Sequence, residues 1–268
     1  MTERKKLRLG MPTLIELASF EENAALCAEL GLDFVELNMN LPIFQPGRMD
    51  TEKLRKIADR YGVGVTVHLD ENLDVCEFNP YVAEAYRRTA VESIGLAKEL
   101  GAPLLNMHLS KGVYFTLPDQ KVFLYDTYSG EYIESMRRFA SVCGEAAGDV
   151  QILIENTSGF TDFHREALEM LLESPVFGLT FDVGHNHGCG DRDEAFIRAH
   201  KAKLRHMHLH DALGKRDHLA LGSGELDLEG YLDLARETDS SVVIEVKTVT
   251  GLRQSVEWIK EINIQQMG

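Results

Sequence analysis

No stretch of this chain approaches the run of about 18 uninterrupted apolar residues that a membrane-crossing helix requires, so a helical membrane span is excluded. Cysteine is scarce. Cys27, Cys76, Cys143 and Cys189 are far apart and form no CxxC pair, which excludes a disulfide framework and a cysteine-rich zinc knuckle and leaves four reduced thiols. No GxGxxG follows the first strand-like run, so the usual dinucleotide fingerprint is missing. Proline and glycine are at ordinary levels, which excludes collagen-like and low-complexity chains. Positive charge is in short supply: 28 Lys and Arg face 43 Asp and Glu, a net charge of −15. Such a surface repels phosphate backbones and argues against a nucleic-acid partner. Residues 1–6 are polar and lead straight into a strand-like run without a signal-peptide pattern, so a cytoplasmic protein is expected.

What is present is a regular alternation. Short apolar, β-branched runs occur at 7–13, 34–39, 64–69, 104–109, 150–157, 177–185, 204–211 and 242–246. Between them, residues 20–30, 50–61, 81–100, 131–147, 163–172, 193–200, 228–237 and 252–262 carry helical periodicity. Gly31, Gly62 and Gly101 stand where left-handed C-terminal caps belong. Eight β-then-α units in 268 residues predict one (β/α)₈ barrel domain over residues 1–268. An open doubly wound sheet is the competing architecture. The stretch 110–130 is long, irregular and rich in aromatics, which predicts a lid or a contact surface for a homodimer.

Polar residues collect at the ends of the predicted strands. His68 ends the third and His108 the fourth. Glu155-Asn156-Thr157 ends the fifth, Asp182 and His185 the sixth, His208, His210 and Asp211 the seventh, and Glu245 the eighth; His218 follows in a loop. In a (β/α)₈ barrel these ends meet at one mouth, where active sites lie. Carboxylates gathered so closely repel one another unless protons or a cation neutralise them. A Glu245 buried between Val and Ile would cost several kcal/mol if left unpaired. His with Asp and Glu is a ligand set for first-row divalent metals. His206, His208 and His210 share one strand face, so periodicity does not choose among them. His187 and Cys189 alternate with His185 and either join it or are exposed loop residues, and His164 and His200 read as residues on helix surfaces.

The carrying segments are Val67-His68, Asn79-Pro80, Asn106-Met107-His108, Leu153-Ile154-Glu155-Asn156-Thr157, Phe181-Asp182-Val183-Gly184-His185, Met207-His208-Leu209-His210-Asp211, the run from His218 to Gly224, and Val243-Ile244-Glu245. In this order the chain resembles the xylose-isomerase-like barrels. That superfamily includes sugar and sugar-phosphate isomerases and epimerases, and AP endonucleases of the endonuclease IV type. The resemblance implies that Glu155, Asp182, His208 and Glu245 bind a divalent metal, with Glu155 and Glu245 also serving as acid and base. It implies that His68, His108, His185 and His218 either contact substrate or complete a multi-zinc cluster. The oxygen-rich core suits Mn²⁺, Mg²⁺ or Co²⁺, and additional histidines shift the preference toward Zn²⁺.

Two activities follow. A sugar or sugar-phosphate isomerase or epimerase would move a carbon-bound proton through an enediolate. His68, His108 and His185 would then line the pocket, and Arg216 or Lys215 would hold a phosphate or hydroxyl. An AP endonuclease would hydrolyse phosphodiesters with zinc. The nuclease pattern before the last histidine is Asp-x-His, whereas here Asp217 directly precedes His218 and Arg216 holds the expected carboxylate position. Residues 40–47 are apolar and Pro-rich, not built for a DNA groove, and the basic rim residues Arg48, Lys111, Arg165, Lys215, Arg216 and Lys247 are scattered and offset by acids. The isomerase reading is therefore preferred, with a small sugar as partner and no nucleic acid or membrane.

Overall fold

In the computed structural model, which describes residues 5–265, eight parallel strands close into a barrel and each is followed by a helix. The strands are β1 (Leu9–Pro12), β2 (Phe34–Asn38), β3 (Gly64–His68), β4 (Leu104–His108), β5 (Gln151–Glu155), β6 (Phe177–Asp182), β7 (Leu204–Leu209) and β8 (Ser241–Ile244). The helices are α1 (Phe20–Leu30), α2 (Thr51–Tyr61), α3 (Pro80–Leu100), α4 (Ser129–Ala147), α5 (Asp162–Leu172), α6 (Glu194–Ala199), α7 (Leu228–Thr238) and α8 (Val249–Gln265). Strands pair in chain order, and β1 closes on β8 through Leu9 opposite Val242. This is the (β/α)₈ barrel expected from the alternation. Residues 1–4 of the polar N-terminus lie outside the described residues. Among the described residues no helix is long and apolar enough to cross a membrane.

Local chemistry fixes the element ends. Ser19, Asp50 and Asn79 each accept a backbone N–H in the first turn of α1, α2 and α3, satisfying donors that a helix start leaves open. Gly31, Gly62 and Gly101 end those helices in the left-handed region. Strand residues are buried on both faces, between the barrel interior and the helical ring.

Four details depart from the sequence expectations. β6 stops at Asp182, because its carboxylate accepts the His185 N–H at 2.6 Å and caps a short helical turn, Val183–Gly188. β7 stops at Leu209, and Asp211–Leu213 instead pairs antiparallel with Arg216–Leu219. The 110–130 segment is ordered: Tyr114–Thr116 pairs with Lys121–Phe123, and a helical turn Leu124–Thr127 follows. Tyr125 anchors it from below, donating its hydroxyl to Asp74 at 2.9 Å, while Val113, Phe115 and Tyr128 remain exposed. Finally, His164 is not a surface residue. It is 2 % exposed under that segment, within an aromatic cluster of Tyr132, Phe160 and Phe163. His200 is half-buried, its Nε2 3.1 Å from Glu169.

Candidate metal centre

The strand period of two decides what enters the barrel. Glu36 and Asn38 on β2, Thr66 and His68 on β3, Asn106 and His108 on β4, Thr180 and Asp182 on β6, and His206 and His208 on β7 alternate with apolar residues. Register pairs Glu36 with Thr66, Thr180 with His206, and Asp182 with His208. The upper half of the barrel interior is therefore polar, and only some of its side chains satisfy one another. Thr66 donates to Glu36 at 3.1 Å, and His206 Nε2 lies 3.2 Å from the same carboxylate.

His208 is the hub. Its Nδ1 lies 3.3 Å from Glu155 Oε2, 3.4 Å from Glu245 Oε2 and 3.9 Å from Asp182 Oδ2. Its Nε2 lies 2.9 Å from Glu36 Oε1 in an ion-pair contact, without the alignment of a hydrogen bond, and Nδ1 faces the carboxylates. Periodicity left His206, His208 and His210 undecided, and the geometry separates them. His206 sits deeper, with Nδ1 2.6 Å from Ser241 Oγ. His210 stands to one side, with Nε2 3.1 Å from Asp182 Oδ1. The His218 backbone N–H donates to His210 Nδ1 at 2.8 Å, so the proton of a neutral His210 ring is on Nε2, aimed at Asp182. That contact requires His218 at a φ of 50°, a conformation a β-carbon disfavours. It also requires Gly184, where a Cβ would come within 2.0 Å of the His210 ring.

The remaining predicted residues ring this centre. His68 Nε2 is 3.4 Å and His108 Nε2 3.2 Å from Glu155 Oε2. His185 Nδ1 lies 3.5 Å from Glu155 and 3.3 Å from Asp182. His218 Nδ1–H donates to the Glu245 carbonyl at 3.1 Å. The structure thus brings together Glu155, Asp182, His208, Glu245, His68, His108, His185 and His218. Arg216 does not join them. It is exposed on the second strand of the hairpin after β7, turned out by a pairing that the strand reading of 204–211 did not foresee. Asp211 does not point at the centre either. Its carboxylate accepts the N–H groups of Ala212, Gly224 and Leu226 and shapes that loop.

Two participants, Glu36 and Asn106, escaped sequence reasoning, and a third, His210, was left undecided by it. Glu36 orients His208, His210 orients Asp182, and Asn106 donates to Glu155 Oε2. The signal for Glu36 and Asn106 was available: each stands two residues before a polar strand end, hence on the same inner face. Lys247, expected at the rim, holds Glu245 Oε1 at 2.7 Å. A cleft of about 190 Å³ opens beside Glu245 and is lined by Thr13, Asn38, Asn40, His68 and Lys247.

Charge is tightly coupled. Burial pushes the carboxyl pKa of Glu155 up, but His208 and His108 outweigh it and hold the group well below the carboxylate range. Glu245 is likewise held low by His208 and Lys247 against burial. Burial pulls the His208 ring down, yet Glu155, Glu36 and Glu245 raise it well above its ordinary value. His68 and His185, also opposed by burial, are raised to about 9, His68 chiefly by Glu155 and His185 by Asp182 and Glu155. The donor set fits a divalent cation. Buried Glu245 Oε2, His208 Nδ1, His185 Nδ1 and His108 Nε2 have no hydrogen-bond partner, and ligand atoms of Glu155, Asp182 and His208 lie within 4.8 Å of one another.

Comparison with known proteins agrees with this architecture. The chain is 29% identical to the uncharacterized protein MJ1311 of Methanocaldococcus jannaschii over 222 residues, 78% of this chain and 73% of that protein. A crystal structure of a D-tagatose 3-epimerase-like protein superposes with a TM-score of 0.76 at 23% identity, covering 98% of this chain and all of that one. The 3-keto-D-glucoside 4-epimerase YcjR from E. coli gives 0.76 at 16% identity, over 96% of this chain and 100% of its own. Residues 24–262 match the family described as xylose isomerase-like TIM barrel, and the chain belongs to that family.

Proposed function

We propose that the protein is a divalent-metal-dependent isomerase or epimerase that moves a carbon-bound proton of a sugar or sugar phosphate through an enediolate. The observation that carries this reading is the convergence of Glu155, Asp182 and Glu245 on His208 Nδ1. A divalent ion held by these four residues would supply Lewis-acid stabilisation of the charge that develops on a substrate oxygen. Mn²⁺ or Zn²⁺ fits the set best, and Mg²⁺ or Co²⁺ is compatible with its oxygens.

The chain's own residues do the rest. Glu155 and Glu245 approach the hub from different strands, and both are kept ionised by their neighbours. One removes the proton and the other returns it. Lys247 occupies Glu245 Oε1, which leaves Oε2 facing the hub. His68, His108 and His185 line the space above Glu155 and orient substrate hydroxyls. His210 and Glu36 are positioning residues, acting through Asp182 and His208. Arg216, exposed on its hairpin, has no part in holding substrate in this arrangement. The four free cysteines fit a cytoplasmic setting, and the exposed apolar residues of the 110–130 hairpin fit a contact with a second copy.

Endonuclease IV-like hydrolysis is the second reading. It is favoured by two further groups able to hold a metal, His68–His108–Glu155 and His185–His210–His218. One experiment separates the two. Purified protein is analysed for metal and incubated with a panel of ketoses and ketose phosphates in deuterium oxide, and in parallel with an abasic duplex. One ion per chain and exchange of a sugar proton that Glu155→Gln abolishes is the expected result. Two or three ions and strand incision lost in the same variant would install the nuclease.

A further inference from the structure

Outside the metal centre, Lys111 in the loop after β4, Arg165 on α5 and Arg192 in the loop after β6 reach neighbouring backbone carbonyls. Lys111 Nζ donates to the Ser158 carbonyl at 2.8 Å, and Arg192 Nη2 reaches the same oxygen at 3.5 Å. Arg192 Nε donates to the Cys189 carbonyl at 2.9 Å, and Arg165 Nη2 donates to the Arg192 carbonyl at 3.1 Å. Gly159 has a φ of 88°, and a Cβ there would stand 2.9 Å from Arg192 Nη2, so the loop is shaped to let the guanidinium lie against it.

The buried carboxylate of Asp193 offsets part of the charge at Lys111 and leaves the cluster with an excess of cations. Among the described residues none of the three forms an ion pair with a carboxylate; their partners are backbone carbonyls. Arg165 Nε is buried without any hydrogen-bond partner. The nearby Asp193 is fully buried and accepts the Phe160 N–H at 2.7 Å. Burial, and after it the Arg192 charge, lowers the Lys111 pKa. Three like charges held together by loop geometry, with an unused donor among them, are arranged for an anion supplied from outside.

We infer that Lys111, Arg165 and Arg192 form a phosphate subsite that binds the phosphomonoester of a sugar phosphate. Lys111 follows His108 by three residues, Ser158 follows Glu155 by three, and Cys189 follows His185 by four. Each loop leaves the metal centre only three or four residues before it reaches this cluster, which places the cluster on the rim of the same barrel mouth. A tetrahedral dianion accepts from several separate donors at once, as this spread of one ammonium and two guanidinium groups requires; a planar carboxylate uses one fork. The basic rim is therefore not scattered throughout, as its sequence suggested: two of its members, joined by Arg192, converge. The sugar part of the assignment rests on the isomerase reading, whereas the phosphate part does not.

The test is a calorimetric titration of the metal-loaded protein with inorganic phosphate at constant ionic strength, with acetate as control. Phosphate should bind more tightly than acetate, and Lys111→Gln combined with Arg192→Gln should weaken it about tenfold or more. Arg192→Lys, which keeps the charge, should retain part of the affinity. Metal content and melting midpoint verify that the variants fold. Phosphate bound no better than acetate, or equally by parent and double variant, overturns the subsite. A deuterium-exchange assay then compares ketoses with their phosphate esters, and preference for the ester should disappear in the double variant. Phosphate binding at these residues without any exchange would leave the subsite standing and sink the isomerase reading. Exchange of esters with no loss in the double variant would do the reverse.

Discussion

His208 and His164 are almost equally buried, at 0 % and 2 % exposure, and they titrate in opposite directions. His208, at the barrel mouth, is pulled up by three carboxylates. His164, under the 110–130 segment, sits among aromatic rings and one carbonyl, and burial drives it down to about 4. Depth is the same; the partners differ. A buried imidazole follows the charges it faces, and only where carboxylates surround it is a site prepared for a cation.

The largest effect is expected at the mouth. Glu245→Gln preserves volume but removes a group able to carry a proton, so turnover should fall by more than about 10²-fold. A variant retaining near-parental rate would remove Glu245 from the chemistry. Metal removal comes next. Binding to the folded state alone stabilises by about 2.7 kcal/mol at a hundredfold excess over Kd, so dialysis against EDTA should lower the melting midpoint, and returning Mn²⁺ or Zn²⁺ should restore it. An unchanged midpoint together with no metal by elemental analysis would count against the centre. His210→Gln should weaken metal binding by about 10–100-fold, because Asp182 loses the ring that orients it while all four ligands remain.

The proton balance at the mouth gives a further test. His208 is raised, so its ring is charged at neutral pH when no cation is present, whereas a ligand nitrogen must be neutral. Glu155 and Glu245 are already ionised and have no proton to give up. Metal binding should therefore release at least one proton, from His208 and from His68 or His185 where the cation takes over their carboxylate partners, and affinity should rise as pH climbs toward the pKa values of those rings. Titrations in buffers of different ionisation enthalpy measure the released proton directly; none released would refute the assignment of Nδ1 as a ligand.

The two regions also differ in how readable they were. The barrel follows from eight repeats of β then α, and the strand-end carboxylates and histidines follow from that barrel, because a chain that alternates in this way has one mouth. What stayed hidden depends on side-chain partners that no periodicity encodes. Glu36 is one step below a strand end, and its role appears only once register sets it against His206 and His208. Arg216 was placed by its position in the loop after the seventh strand, but a hairpin turns it outward. Arg192 gained meaning only when β4, β5 and β6 brought their loops together. His164 was misread because helical position alone says nothing about what covers a helix. A sequence cue did exist, since Thr161 stands three residues before it in the position of a capping-box partner.

That residue supplies the smallest effect and the cleanest one, because it lies away from the metal centre. The Thr161 N–H donates to His164 Nδ1 at 3.4 Å, so the ring's proton is on Nε2, which donates to the Ser110 carbonyl at 3.0 Å. Both nitrogens are thus committed with the ring neutral. Charging it would break the first bond and bury an unpaired cation. Burial accordingly lowers its pKa from 6.5 to about 4, with the Ser110 carbonyl opposing and the Lys111 charge adding to the fall. The sign follows from the unfolded chain, which takes up this proton near pH 6.5 while the folded protein resists until about pH 4. Stability from His164 is complete above 6.5 and is lost as pH falls from there toward 4, at up to roughly 1.4 kcal/mol per pH unit. His164→Gln keeps a polar side chain but has no charge to gain. The variant should be less stable than the parent at pH 7.5, and the gap should narrow as pH falls to 5. Urea titrations of both proteins at the two values measure it, and the carboxylates and histidines of the mouth cancel in the difference. A gap that stays constant or widens on acidification would mean that the ring is already charged in the fold, and the contrast with His208 would be lost.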